Sequence, residues 1–208
     1  MANRTTADGA RAAKTGTTTV GLAAADGVVL AADRRASLGG GFVANKDVSK
    51  IEQVDPSAAV TISGSVGATQ ALVRQLRAEA SLYENRRGRP MSVSALATAA
   101  GDALRGHPVG LVLGGVDDGG PRVYELDGGG GVLADDYAAT GSGMQLAYGV
   151  LERRYDPDGS LDDAAATAAA AVDAASERDT ASGNGLTLAR VTVEGVDVRT
   201  SADPAEVT

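Results

Sequence analysis

The chain has 208 residues, enough for one sizeable core and short for two. Hydrophobic residues make up 43% but aromatics only 3%, so the core must come from Ala, Val and Leu. Cysteine is absent, which excludes disulfides, thiol catalysis and cysteine-ligated metal, and a net charge of -8 leaves no basic stripe for nucleic acid.

No stretch reaches the ~18 uninterrupted apolar residues of a membrane helix. The polar opening MANRTTADGARAAKTG does not read as a secretion signal, so the expected compartment is the cytoplasm. Asp outnumbers Glu by 19 to 8, and 3 Lys stand against 16 Arg. A salt-rich cytoplasm and a GC-rich genome would each produce that bias. A lysine within a strand is therefore conspicuous.

Residues 1–16 read as a flexible tail of small and charged residues. Structure is expected to begin at Thr17. The run TTTVGLAAA, the Asp26-Gly27 turn signal and VVLAADRR predict a hairpin. After Gly39-Gly40-Gly41, the segments FVAN and VSKIEQV predict a second hairpin around Lys46-Asp47, and AAVTISGS a fifth strand. Leu72, Val73, Leu76, Ala80 and Tyr83 recur at helical spacing and predict a helix over 66–87. A second helix runs from Ser92 to Leu104. GLVLGGV, RVYELD and VLADDYAAT return to strand character. Helices follow over Met144–Tyr155 and Leu161–Arg178, the latter capped by Ser160, and LTLARVTVEGVDVRT closes as a hairpin. Strands, two helices, strands, two helices and strands suit an α+β fold of two packed antiparallel sheets, each with a helix pair outside.

Several catalytic signatures are missing. The one histidine, His107, sits in a Gly-His-Pro turn, and there is no G-x-S-x-G elbow. Gly141-Ser142-Gly143 lacks the third glycine of a dinucleotide fingerprint, Leu146 standing there. Thr, Lys, Asp and Ser remain. A hydroxyl needs a base, and a free N-terminal amine, titrating near ~7.7–8.0, can supply one. The Gly16-Thr17 junction, where tail meets strand, fits a chain that exposes Thr17 by cleavage. By itself a Thr-Thr-Thr run is also ordinary strand composition.

A series of motifs sharpens this. TGTTTVG at 15–21, Ala32-Asp33-Arg34-Arg35, a strand carrying Lys50, Ser63-Gly64 with Val66-Gly67, Tyr137, Thr140-Gly141-Ser142-Gly143 and Arg178-Asp179-Thr180-Ala181-Ser182-Gly183 occur in order. Together they resemble the β subunits of the archaeal proteasome, with haloarchaeal forms suited by the acidic composition. The resemblance implies an N-terminal nucleophile hydrolase with a four-layer αββα sandwich. It implies a propeptide of residues 1–16, a single catalytic domain over 17–208, and removal of the propeptide by self-cleavage between Gly16 and Thr17. Thr17 would be nucleophile and base, Lys50 the neighbouring positive charge, Asp33 its partner and Gly64 an oxyanion donor. Ser142, Asp179 and Ser182 would support the Thr17 amine. Ala36, Val48, Ile62 and Val66 would form an apolar pocket, favouring cleavage after hydrophobic residues.

The partners implied are copies of this chain in two stacked seven-membered β rings, α-subunit rings, a regulatory unfolding ATPase and unfolded protein substrates. No cofactor, metal, nucleic acid or membrane is expected. A catalytically silent ring subunit and a small-amide amidase of the same hydrolase class are the alternatives. Two departures stand out. One extra glycine lies between Arg35 and Phe42 relative to the family pattern. A two-residue turn at Asp26-Gly27 would pair Asp33 with Val20, on the face opposite Thr17, so a bulge or longer turn is expected in the first hairpin.

Overall fold

The computed structural model describes residues 16–38, 40–64 and 66–206, the side chains of Val66 and Ala205 excepted. The expected tail therefore lies outside the described residues apart from Gly16. The strands are β1 Thr18–Ala24, β2 Gly27–Asp33, β3 Ala36–Leu38, β4 Phe42–Asn45, β5 Ile51–Asp55 and β6 Ala58–Thr61, then β7 Gly110–Asp117, β8 Gly120–Asp127, β9 Val132–Asp135 and β10 Tyr137–Gly141, and last β11 Leu186–Thr192 and β12 Gly195–Ser201. Helices α1 Val66–Arg87 and α2 Val93–Leu104 follow β6, and α3 Met144–Arg154 and α4 Leu161–Ser176 follow β10.

Two five-stranded antiparallel sheets result, ordered β10-β1-β2-β11-β12 and β5-β6-β7-β8-β9. The central strands β1, β2, β6 and β7 are buried on both faces, and three apolar clusters account for them. Val20, Leu22, Val29 and Ala31 of the first sheet pack beneath α3 and α4, against Leu151, Ala165, Ala168 and Val172. Val60, Leu111, Leu113 and Leu126 of the second sheet pack beneath α1 and α2, against Leu76, Leu96 and Leu104. Between the sheets lie Val28, Leu30, Ala32, Ala59, Val112 and Val123. The expected αββα sandwich is the observed fold. Small side chains make it workable: α4 is mostly alanine and lies close against β1 and β2.

Helix ends follow local chemistry. Ser160 caps α4 in a reciprocal box with Asp163, and the Leu161 amide donates to Asp26 Oδ1 at 3.1 Å. That last bond ties the first hairpin to the start of α4. Ser92 accepts from the Ala95 amide at the start of α2.

Three strand expectations are corrected. FVAN does not pair with the segment after it: β4 pairs back with β3 as a separate ribbon, and β5 pairs with β6. VLADDYAAT is two strands, broken at Asp136, and β9 and β10 belong to different sheets. The first hairpin needs no bulge. Its turn residues are Ala25 and Asp26, Ala24 pairs with Gly27, and the ladder runs without a register shift to Thr19 opposite Ala32. Irregularities fall instead in β3–β4, between Ala36 and Ser37, and in β5–β6, between Gln53 and Asp55.

Leu30 is fully buried between the sheets. Replacing it with alanine should cost about 2–5 kcal/mol, through lost transfer energy plus a cavity the two rigid sheets cannot close. Chemical denaturation of the purified chain checks this. A loss under 1 kcal/mol would mean that the central layer repacks freely.

Candidate active site

The C-terminal end of β2 and the N-terminal end of β1 lie side by side, because the strands are antiparallel neighbours. Thr17 immediately precedes β1 and Asp33 ends β2. Alternation along β2 puts Asp33 in phase with Val29 and Ala31, on the α4 side. Thr17 lies outside the regular strand, where alternation no longer governs, and there the Asp33 carboxylate meets it. Thr17 Oγ1 donates to Asp33 Oδ1 at 2.9 Å.

Asp33 is completely buried and fully engaged. Oδ1 also accepts from the Thr18 amide at 2.9 Å and Lys50 Nζ at 2.6 Å, and Oδ2 accepts from the Arg35 and Gly183 amides at 3.0 and 2.9 Å. Lys50 is 5% exposed. It falls one residue before β5 rather than within a strand, but its carbonyl accepts from the Ile62 amide at 2.8 Å, so the ladder to β6 extends past it. Its three ammonium protons have three acceptors: Asp33 Oδ1, Thr17 Oγ1 at 2.7 Å and the Arg35 carbonyl at 2.5 Å. Burial lowers the Lys50 pKa below the ordinary lysine value. The charge of Asp33 and its hydrogen bond oppose that shift, as does the charge of Asp179, while Arg35 adds to it. Thr17 Oγ1 thus sits between a proton acceptor and a buried cation, as nucleophile activation requires.

A second group surrounds the Thr17 nitrogen, here an amide joined to Gly16. It donates to Ser142 Oγ at 3.1 Å. Ser142 Oγ lies 2.6 Å from Asp179 Oδ2, and Ser182 Oγ donates to that same oxygen at 2.6 Å. Ser182 Oγ also lies 2.7 Å from Thr18 Oγ1. Ser182 therefore reaches the Thr17 nitrogen only through Asp179 and Ser142. Gly16 is tightly enclosed: its amide donates to Ser37 Oγ at 3.2 Å, and an added Cβ would fall 2.0 Å from Ala181 Cβ and 2.9 Å from Ser142 Oγ.

Thr17 and Lys50 open onto a cleft of roughly 330 Å³. Ala36, Val48, Ile62 and Gly64 line it, together with Gly16. The Val66 side chain lies outside the described residues. Gly64 has φ 109°, and a Cβ there would press on Val109 Cγ1 at 2.8 Å and the Pro108 carbonyl oxygen at 3.0 Å. The lining is more polar than expected, since Arg35, Asp47, Glu52 and Gln70 share it. Gln70 stands one helical turn after Val66, and that spacing was the available signal. Glu52 follows Lys50 by two residues, the in-phase spacing of a strand. Arg35 was visible in the Ala-Asp-Arg-Arg motif without an assigned task. It donates to Asn184 Oδ1 at 2.8 Å and to the Thr180 carbonyl at 2.9 Å, fastening the 180–184 segment beside Asp33. His107 is exposed in its turn and does not line the cleft. No cluster of metal-ligating side chains occurs among the described residues.

Replacing Asp33 with asparagine removes the charge that raises the Lys50 pKa. In that variant Lys50 should titrate still further below an ordinary lysine, as read by NMR of its ε-methylene against exposed Lys46. An unchanged or higher value would show that Asp33 does not govern the lysine's charge.

Comparisons with known proteins identify the family. The proteasome subunit family profile matches residues 13–191. A proteasome subunit beta from Halorhabdus utahensis is 57% identical over 202 residues, covering 96% of this chain and 86% of the relative. Proteasome subunit beta 2 from Haloterrigena turkmenica is 57% identical over 189 residues, covering 89% of this chain and 80% of the relative. Proteasome subunit beta 1 from Haloarcula marismortui is 54% identical over 194 residues, covering 92% and 81%. With its sandwich fold and its similarity to haloarchaeal β subunits over most of its length, the chain belongs to the proteasome subunit family.

Proposed function

We propose that this chain is a proteolytic β subunit of a proteasome core particle, with Thr17 as its N-terminal nucleophile. The observation that carries the reading is the 2.7 Å contact from Lys50 Nζ to Thr17 Oγ1, with Asp33 Oδ1 within hydrogen-bond distance of both. A structural threonine at a strand start has no need of a buried ion pair around its hydroxyl.

In the intact chain the Thr17 nitrogen is an amide and cannot accept a proton. The first event is attack of Thr17 Oγ on the Gly16 carbonyl carbon. The C–N bond breaks as the C–O bond forms, leaving an ester, and the nitrogen takes up the proton. Water then hydrolyses the ester, releasing residues 1–16 as a carboxylate and restoring the Thr17 hydroxyl beside the amine already freed. The enclosure of Gly16 by Ala181, Ser142 and Ser37 supports this reading, because it holds the scissile peptide against the nucleophile.

In the mature chain the amine accepts the Oγ proton as Oγ attacks a substrate carbonyl, and gives it to the leaving amine. Water repeats the sequence on the acyl-enzyme. Lys50 stabilises negative charge on Oγ, Asp33 holds Lys50 in place, and the Gly64 amide serves the oxyanion. Ser142 and Asp179 orient the amine, with Ser182 holding Asp179. The catalytic domain spans 17–208. Ala36, Val48, Ile62 and Val66 would receive the residue before the cut, with a preference for hydrophobic side chains. Copies of the chain form two stacked seven-membered rings between α rings in the cytoplasm, and a regulatory ATPase feeds unfolded substrate.

Thr17→Ala should retain residues 1–16 by intact mass and lose hydrolysis of a hydrophobic fluorogenic peptide, while Thr17→Ser keeps part of both. Lys50→Ala should lower kcat/KM by about 10²–10⁴. Undiminished peptidase activity in Thr17→Ala would overturn the assignment, and an uncleaved wild-type chain in the purified assembly would indicate a silent ring subunit. Gly16→Ala should slow tail removal without touching a chain produced directly with Thr17 at its N-terminus. Equal processing of Gly16→Ala and wild type would show that the enclosure plays no part.

A further inference from the structure

The apolar layer between the sheets contains a chain of buried hydroxyls that the mechanism above does not use. The Val112 amide of β7 donates to Thr61 Oγ1 of β6 at 2.9 Å. Thr61 Oγ1 donates to Thr19 Oγ1 of β1 at 3.0 Å, and Thr19 Oγ1 lies 2.8 Å from Thr140 Oγ1 of β10. All three threonines are buried. The Val112 amide can only donate and Thr61 Oγ1 donates on to Thr19 Oγ1, while either hydroxyl of the Thr19–Thr140 pair can be the donor. Hydrogen bonds linked in series strengthen one another in a low-dielectric layer.

The chain crosses from one sheet to the other. Its members lie near three separate parts of the site. Thr19 is two residues after Thr17, Thr140 two residues before Ser142, and Thr61 three residues before Gly64. The regular β6–β7 ladder ends at Val60 opposite Leu113 and returns as a single bridge at Ser63 opposite Gly110. In that gap the Thr61 side chain takes the Val112 amide. Lys50 makes a further directional link between the sheets through Asp33 and Thr17, and the remaining inter-sheet contacts in this layer are between apolar side chains, which set a distance but not a register.

We infer that Thr61 is a positioning residue: the Thr61–Thr19–Thr140 hydroxyl chain locks the strand leading to Gly64 against the strand that starts at Thr17. The lock holds the oxyanion glycine at fixed distance from the nucleophile. It rests on the proteolytic reading of Thr17. A misplacement of about 1 Å between such groups costs on the order of a hundredfold in rate.

The test uses processed, assembled particles, with peptide hydrolysis expressed per active site titrated by a covalent peptide inhibitor. Thr61→Val keeps the shape and removes the hydroxyl, and should lower kcat about tenfold or more with KM little changed. Thr61→Ser restores the hydroxyl and should recover most of that loss. Thr19→Val combined with Thr61→Val should cost no more than the larger single loss, since both cut one chain. Wild-type kcat in Thr61→Val, or losses that multiply in the double variant, would overturn the inference. If Thr61→Val does not assemble, Thr140→Val decides, since it leaves the Val112–Thr61 bond in place. A fall in its kcat supports the lock and an unchanged kcat overturns it. Thr17→Ala is measured alongside. Activity in that variant would defeat the proteolytic reading itself, whereas an inactive Thr17→Ala beside a fully active Thr61→Val defeats only the lock.

Discussion

A buried ion pair between Asp33 and Lys50 organises this molecule. Removing two charges from water costs several kcal/mol each, and their attraction repays that only when the remaining hydrogen-bonding positions are filled. Here they are filled. Asp33 accepts five hydrogen bonds, two of them from the amides of Thr18 and Arg35 and one from the Gly183 amide, and Lys50 uses all three protons. The strand ends, the Arg35 backbone and the Gly183 segment must all arrive together for the pair to be tolerable. The requirement to satisfy one carboxylate thus draws β1, β2, the segment before β5 and the segment before β11 to one point. Thr17 Oγ1 is at that point.

The layers around it divide the work. Alanine-rich α4 and the paired α3 back the sheet that carries Thr17 and Asp33, while α1 and α2 back the sheet that follows Lys50 and leads to Gly64. Thr17 and Gly64, the proposed nucleophile and oxyanion donor, therefore lie beside strands of different sheets, and in the proposed mechanism the alignment of the sheets becomes part of the chemistry. Apolar packing alone is indifferent to small sliding. The threonine chain between Val112 and Thr140 adds direction where the packing has none.

Much of the fold was legible because periodicity is a local property. The helix over 66–87 is read from Leu72, Val73, Leu76 and Ala80, all of which face the core. Ser92 and Ser160 mark their helix starts by chemistry that acts within three residues. Strand partners were less legible. β4 turns back onto β3, and β9 and β10 part at Asp136, because pairing depends on which edge is free in three dimensions. The side of Thr17 relative to Asp33 was misjudged for a related reason. Strand alternation predicts sides only inside a regular strand, and Thr17 lies just before one.

Sequence alone determined the element types and the family likeness, and it singled out Thr17, Asp33, Lys50, Ser142, Asp179 and Ser182 as candidates through a series of short motifs along the chain. Tertiary structure decided how they meet. It showed that the first hairpin reaches Asp33 without a bulge and that Ser182 bonds Asp179 rather than the Thr17 nitrogen. It also set Arg35, Asp47, Glu52 and Gln70 in the cleft lining with Ala36, Val48 and Ile62. These facts depend on packing between segments far apart in sequence, and no local pattern encodes the distance between two ends brought together by a fold.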